Sequence, residues 1–208
     1  GATWTLSRSG LSRWEVQAIA PSVSSASVAW AGTGGGGVFT TNDAGATWTA
    51  VNSGLTDLEV QALATDTDNP LTVFAGTATG GVFRSLDGGG TWTAVNSGLA
   101  NLDVRGLAVD PSDSARVYAA TRNGLFRSTD GGSTWTGANT GLNVTVLECV
   151  WIDPTTPQTL YVGTVQDSVY RSLNGADNWQ RSNTGMNADT ITRIATVPGS
   201  QRVYAVSP

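Results

Sequence analysis

The octet SLDGGGTW, residues 85–92, sets one carboxylate between two hydroxyls and beside a run of glycines. Asp87 stands two residues after Ser85 and four before Thr91. Such a set can ligate a cation, cradle a phosphate on backbone N–H groups, form part of an active site, or only close a turn. Other reactive side chains are few. Glu15, Glu59 and Asp103 each stand just before an apolar alternation, and Arg105 and Glu148 lie inside two such alternations. The chain has no His and a single Cys, Cys149. Ser-His-Asp and Cys-His chemistry are therefore excluded, as are a His-containing zinc site, a thiolate metal cluster and an internal disulfide. Cys149 reads as a small buried hydrophobe.

The octet is not alone. TNDAGATW, STDGGSTW and SLNGADNW end at Trp48, Trp135 and Trp179, and GATW ends at Trp4. The carboxylate slot holds Asp43, Asp87 and Asp130, then Asn174 in the fourth copy. The tryptophans at 4, 48, 92, 135 and 179 are spaced 44, 44, 43 and 44 residues apart. Between them recur SGL or TGL, an apolar alternation such as VQALA, a turn, a β-rich run such as VFAGT, and a run such as GVFRS. Each unit thus predicts four short strands, A to D, with the Asp turn joining C to D. Four strands per period of about 44 residues is a propeller blade. The expectation is an all-β propeller of four-stranded antiparallel blades forming one unit over residues 1–208. Five blades are wholly or partly present, and the last lacks its strand C. Flanking residues, a larger ring or a second chain would complete that blade, so self-association through it is one expectation.

These octets resemble the Asp box of BNR-repeat propellers, S-x-D-x-G-x-T-W. The repeat covers the whole chain, with GGVFRSLDGGGTWTAVNSGL the closest stretch. Bacterial secreted and surface proteins of this type are similar, as more distantly are sialidase, xyloglucanase, sortilin and photosystem II assembly factor propellers. The resemblance implies that the Asp turn is structural and lies away from the ligand face. The spacing also lacks the D-x-D-x-D-G run of a calcium loop. It implies an extracellular or cell-surface location, the periplasm included. A sialidase-like site would need a nucleophilic Tyr, a Glu partner and three clustered Arg. The tyrosines here fill repeated aromatic slots, and Arg84, Arg127 and Arg171 recur on strand C, where a solvated surface is expected.

Repetition also sorts the 16 acids. Asp43, Asp87 and Asp130 belong to the Asp turn, Asp66, Asp110 and Asp153 to the turn after strand A, and Glu15, Glu59 and Asp103 to the slot before strand A. The symmetry breakers lie on strand A, nearest the axis. One column reads Gln17, Gln61, Arg105, Glu148, Thr192, and the next ends in Cys149 and Arg193. Arg105 and Glu148 fall in equivalent slots of adjacent blades and are expected to pair. Trp14 replaces the Leu58 and Leu102 of later repeats. The candidate binding residues are Glu15, Glu59, Asp103, Arg105, Glu148 and Trp14, on a face beside the glycine turns between strands B and C. No catalytic or metal-ligating residue and no cofactor is expected. The function expected is a non-catalytic binding or scaffold module for a polysaccharide or a protein. The alternatives are a piece of a glycoside hydrolase and a self-associating surface repeat. The 11 basic residues, all Arg, against 16 acids give a net charge of −5 and exclude a nucleic-acid binder. No apolar run is long enough to span a membrane.

Overall fold

A computed structural model describes residues 6–12, 15–197 and 202–208. Trp4 and Trp14 lie outside the described residues. Eighteen strands and no helix are found there. The first blade comprises β1 (Val16–Pro21), β2 (Ala29–Thr33), β3 (Gly37–Thr41) and β4 (Thr49–Ala50). The second comprises β5 (Val60–Thr65), β6 (Val73–Thr77), β7 (Val82–Ser85) and β8 (Thr93–Ala94). The third comprises β9 (Val104–Asp110), β10 (Asp113–Thr121), β11 (Gly124–Ser128) and β12 (Thr136–Gly137). The fourth comprises β13 (Leu147–Ile152), β14 (Leu160–Thr164), β15 (Val169–Ser172) and β16 (Gln180–Arg181). Each is an antiparallel sheet in sequence order. A two-stranded sheet, β17 (Arg193–Thr196) with β18 (Val203–Val206), forms the fifth. The chain is an all-β propeller. Its first strands pack side by side, β1 on β5, β5 on β9, β9 on β13 and β13 on β17. Arg193 Nη2 donates to the Gln17 carbonyl at 3.0 Å, which brings the fifth sheet back to the first.

The Asp turn closes by a network that the sequence spells out. In the second blade, Asp87 Oδ1 accepts from Ser85 Oγ at 2.7 Å and from Thr91 N–H at 2.8 Å, and Oδ2 accepts from Thr91 Oγ1 at 2.8 Å. Ser85 Oγ in turn accepts from Gly89 N–H at 2.8 Å. The turn places two successive residues at positive φ, Gly88 at 73° and Gly89 at 98°. Glycine suits both, yet Ala44 and Ala176 hold such positions in the first and fourth turns, at 57° and 71°. Asn174 keeps the contacts of a carboxylate Oδ1, accepting from Ser172 Oγ at 2.8 Å and Asn178 N–H at 3.0 Å. The N–H and O–H donors of Thr47 and the hydroxyl of Thr41 hold Asp43 down at about 2. Donors from Thr134 and Ser128 hold Asp130 at about 2 likewise.

The tryptophan that ends each turn clasps the preceding blade. Trp92 N–H donates to the Ser53 carbonyl at 2.8 Å, and its indole Nε1 donates to the Val51 carbonyl at 2.7 Å. Trp135 repeats this on Ser97 and Val95, and Trp179 on Thr140 and Ala138. The contact is tight. A Cβ on Gly98, at φ 84°, would stand 2.2 Å from the Trp135 carbonyl oxygen, so the glycine of each SGL is required by the next blade.

Strand-C arginines add to the clasp, and here the sequence expectation is corrected. Arg84 and Arg127 do not decorate a solvated surface. Arg84 Nη1 donates to the Gly131 carbonyl at 2.6 Å. Arg127 Nη1 donates to the Gly175 carbonyl at 2.8 Å and pairs with Asp177 at 2.6 Å. Each is half-buried against the Asp turn of the following blade.

Two predictions follow from this interlock. Trp92→Phe strands the Val51 carbonyl and should cost about 1–3 kcal/mol. Trp92→Ala also removes a side chain only 4% exposed and should cost about 3–5 kcal/mol. Urea unfolding of both variants tests the order. The acid behaviour is set in part by Asp43 and Asp130, whose folded values lie below the ordinary 3.8. Groups with depressed values stabilise the fold fully above about pH 4, and lose that contribution as pH falls through about 2. Melting temperature should therefore drop between pH 4 and 2. Asp43→Asn with Asp130→Asn should flatten that slope while keeping the fold, as Asn174 already does in the fourth turn.

Candidate functional site

The strand-A column occupies a special backbone position. Val60 pairs with Thr77 and Ala62 with Gly76, which leaves Gln61 as an extra residue in a β-bulge. The same break leaves Gln17 between Val16 and Ala18, Arg105 between Val104 and Gly106, and Glu148 between Leu147 and Cys149. A bulge re-aims the side chain it carries. Four bulges at one level turn these four side chains toward the axis, where they line a cavity of about 350 Å³ with Val16 and Arg193. Beneath it a cavity of about 250 Å³ is walled by strand-A residues of all five sheets, Cys149 and Trp151 among them.

Charges at this mouth are arranged in a chain. Arg105 Nε and Nη2 donate to the two oxygens of Asp103 at 2.8 and 3.2 Å, and Arg122 Nε reaches Asp103 at 3.0 Å. Arg105 Nη1 lies 3.9 Å from Glu148 Oε2. The expected Arg105–Glu148 pair is present but long, and Asp103 is the closer partner. Glu15 and Glu59 stand exposed on the rim. Their backbone carbonyls, with that of Asp103, accept from Gly34, Ala78 and Arg122 of the turns between strands B and C. The structure thus brings Asp103, Arg105 and Glu148 into contact and leaves Glu15 and Glu59 on the same face without contacting them. Trp14 falls outside the described residues.

Two participants were not singled out from the sequence as site residues. Gln61 is 9% exposed, and its Oε1 has no hydrogen-bond donor among the described residues. Buried polar atoms are normally partnered, so this oxygen is an unused acceptor on a side chain that lines the mouth. Asp57 clamps the rim. Its Oδ2 accepts from Thr79 N–H, Thr79 Oγ1 and Gly80 N–H at 2.8, 2.8 and 2.9 Å, and Oδ1 accepts from Glu59 N–H at 3.0 Å. Burial works against ionisation of Asp57, but the donors of Glu59, Thr79 and Gly80 outweigh it and hold the carboxyl below its ordinary range. The strand-A column placed Gln61 near the axis, but its burial and missing partner are not written in a repeat column.

Chemically the mouth offers an amide acceptor, guanidinium donors and rim carboxylates. Burial pushes the Cys149 thiol up to about 11, which removes it as a thiolate nucleophile at neutral pH. The carboxyls with displaced values, Asp43, Asp57, Asp87, Asp130 and Asp153, are all displaced downward, opposite to what a general acid needs. Among the described residues no group of three His, Cys, Asp or Glu side chains is placed to hold a metal ion. Among the described residues no helix is long and apolar enough to cross a membrane.

No protein-family model matches the sequence, and no curated protein does either. Solved structures are similar in fold. An ancestral GH74 enzyme superposes with a TM-score of 0.78 and 24% identity over 93% of this chain and 27% of its own. The Niastella koreensis GH74 enzyme gives 0.69 and 27% identity over 88% of this chain and 31% of its own. YCF48 bound to D1 peptide gives 0.53 and 10% identity over 91% of this chain and 89% of its own. The chain therefore spans less than a third of the two GH74 enzymes it resembles.

The rim clamp gives a further prediction. Asp57→Ala should speed amide exchange at Thr79 and Gly80 by about tenfold or more, with little change at the strands. Unchanged exchange at those two amides would remove Asp57 from the support of this face.

Proposed function

We propose that this chain is an Asp-box-type, non-catalytic binding module, extracellular or at the cell surface, whose ligand sits at the axial mouth. The carrying observation is the unpartnered Gln61 Oε1 among the bulge-borne side chains. A buried acceptor without a donor costs the free protein stability. That cost is offset when a ligand hydroxyl or amide N–H arrives. A polysaccharide or an extended peptide presents such donors. The polar, half-neutralised mouth suits either better than it suits an apolar molecule. The peptide-bound YCF48 structure and the GH74 enzymes support the two ligand classes by likeness of fold. Location outside the cell rests on the similarity to secreted and surface BNR-repeat proteins.

The test titrates the protein with xyloglucan oligosaccharides and, separately, with a library of extended hexapeptides, read by tryptophan fluorescence and calorimetry. One class should saturate. Gln61→Leu should weaken that binding by about three- to tenfold while raising the melting temperature of the free protein. Glu59→Gln with Asp103→Asn should also lower the affinity. Binding indifferent to all of these substitutions, or no binding by either class, would end this reading. The GH74 likeness supports a second one, a piece of a glycoside hydrolase with catalytic carboxylates in another part of a longer protein. Release of reducing ends from xyloglucan by this chain itself would overturn the non-catalytic proposal.

A further inference from the structure

The second, third and fourth Asp turns are each held from the preceding blade at one atom, the carbonyl of the first left-handed residue. Two fixed slots of that blade face it, an aromatic on strand B and, across the ladder, a residue on strand C. At Gly175 both slots donate, the Tyr118 hydroxyl at 3.1 Å and Arg127 Nη1 at 2.8 Å. At Gly131 the aromatic is Phe74, whose ring carries no donor, and Arg84 Nη1 donates at 2.6 Å. At Gly88 the aromatic donates, Trp30 Nε1 at 2.8 Å, but the residue facing it across the ladder is Thr40.

Thr40 does not do there what an arginine does. Its hydroxyl donates within its own blade, to the Ala29 carbonyl at 3.3 Å. Gly175 shows that this carbonyl takes an aromatic donor and a guanidinium together, as its two lone pairs allow. Gly88 therefore keeps an acceptor position that is filled at Gly175. Each arginine also meets a second oxygen on the turn that it holds. Arg127 pairs with Asp177 at 2.6 Å, and Arg84 Nη1 lies 3.4 Å from Ser133 Oγ. In the second turn that place is taken by Gly90. With both side chains replaced by small ones, a cavity of about 310 Å³ stands between the first and second blades, each of which has all four strands. Trp30, Thr40, Asn42, Leu71, Asp87 and Gly88 line it. Asp87 is exposed, and donors from Thr91 and Ser85 hold its carboxyl below the ordinary range, so it is anionic at neutral pH.

We propose that this cavity binds an alkylguanidinium, the side-chain chemistry of arginine, in the slot that Arg84 and Arg127 fill at the next two junctions. The guanidinium donates to the Gly88 carbonyl beside Trp30 and to the Asp87 carboxylate, whose Oδ2 accepts only from Thr91 Oγ1 among the described residues. Its methylene stem lies on the exposed Leu71, as such stems lie on apolar surface elsewhere. A planar fork serves a carbonyl and a carboxylate at once, which a single ammonium does less well. This site lies between two blades on the outer part of the ring and is independent of the axial mouth.

The probes are free L-arginine and the blocked tripeptide acetyl-Gly-Arg-Gly-amide, each titrated into the whole chain beside its lysine counterpart at equal ionic strength. The readout is the NMR resonance of the Trp30 indole N–H, which shares its acceptor with the ligand. Both the shift and its saturation are followed. The arginine probes should saturate with a Kd on the order of 1 mM, and the lysine probes should bind at least about fivefold more weakly. Tighter binding of free arginine assigns the site to the amino acid. Equal or tighter binding of the tripeptide assigns it to an arginine carried on a polypeptide. Thr40→Arg builds the ligand into the chain. It should move the Trp30 resonance as the probes do, raise the melting temperature and abolish probe binding. Asp87→Asn, a change that the fourth turn already carries as Asn174, should weaken binding by about tenfold, and it decides the matter where Thr40→Arg does not fold. No saturable shift, an equal response to lysine, or arginine binding untouched by Thr40→Arg or by Asp87→Asn would overturn the proposal.

Discussion

A single backbone oxygen on each of three Asp turns, the carbonyl of Gly88, Gly131 or Gly175, organises the propeller. The turn needs two successive left-handed residues, and this conformation swings one carbonyl away from its own blade toward the one before. The aspartate network makes the conformation affordable to an ordinary chain, because its carboxylate gathers the N–H and O–H groups that the turn leaves free. The carbonyl then becomes an acceptor for an indole, a guanidinium or a phenol of the preceding blade. The tryptophan at the end of the turn returns the contact a few residues later, on the carbonyls of the preceding strand D. Local turn chemistry and blade-to-blade docking are thus one device.

This arrangement makes the molecule nearly one-dimensional, each blade resting on its neighbours through the same few bonds. Small residues on strand B complete the fit. A Cβ on Gly76 would stand 2.6 Å from Val104 Cγ1 of the next strand A, so the blades approach to backbone distance there. With docking assigned to the outer turns and to this inner seam, the mouth carries little of the scaffold. Its bulges are free to hold different side chains, and they carry Gln in the first two blades, Arg in the third and Glu in the fourth.

Much of this was legible in the sequence because repetition reports on the fold directly. The period, the strand order and the Asp turn were read from spacing, and the arginines of strand C were seen to recur. Their role was misread, since a position out from the axis suggests solvent and only packed blades show that the outer surface folds over a neighbour's turn. The bulges were invisible for a physical reason. Gln17, Gln61, Arg105 and Glu148 sit in an alternating apolar run whether or not the strand carries an extra residue, and only the partner register exposes the break. Glu15, Glu59 and Asp103 share one repeat slot and one face, but Asp103 lies against Arg105 and Arg122, so the carboxylates of that face are neutralised on one side.

That one-sided neutralisation gives the mouth a direction. On the third and fourth blades, charge meets charge, with Asp103, Arg105 and Glu148 in a chain. On the first and second blades the bulge slots hold the amides of Gln17 and Gln61, and the rim above them keeps Glu15 and Glu59 exposed. Arg193 sits where the ring returns, its guanidinium bonded to the Gln17 backbone and the Thr192 carbonyl. Under the proposed binding at the mouth, a ligand would meet the amides of Gln17 and Gln61 on the first and second blades and committed ion pairs on the third and fourth. Groups already paired exchange little free energy with a newcomer, while an unpaired buried acceptor gains the most from a donor. Orientation in the mouth should then follow from Gln61, with the Arg105 chain serving as a rigid wall.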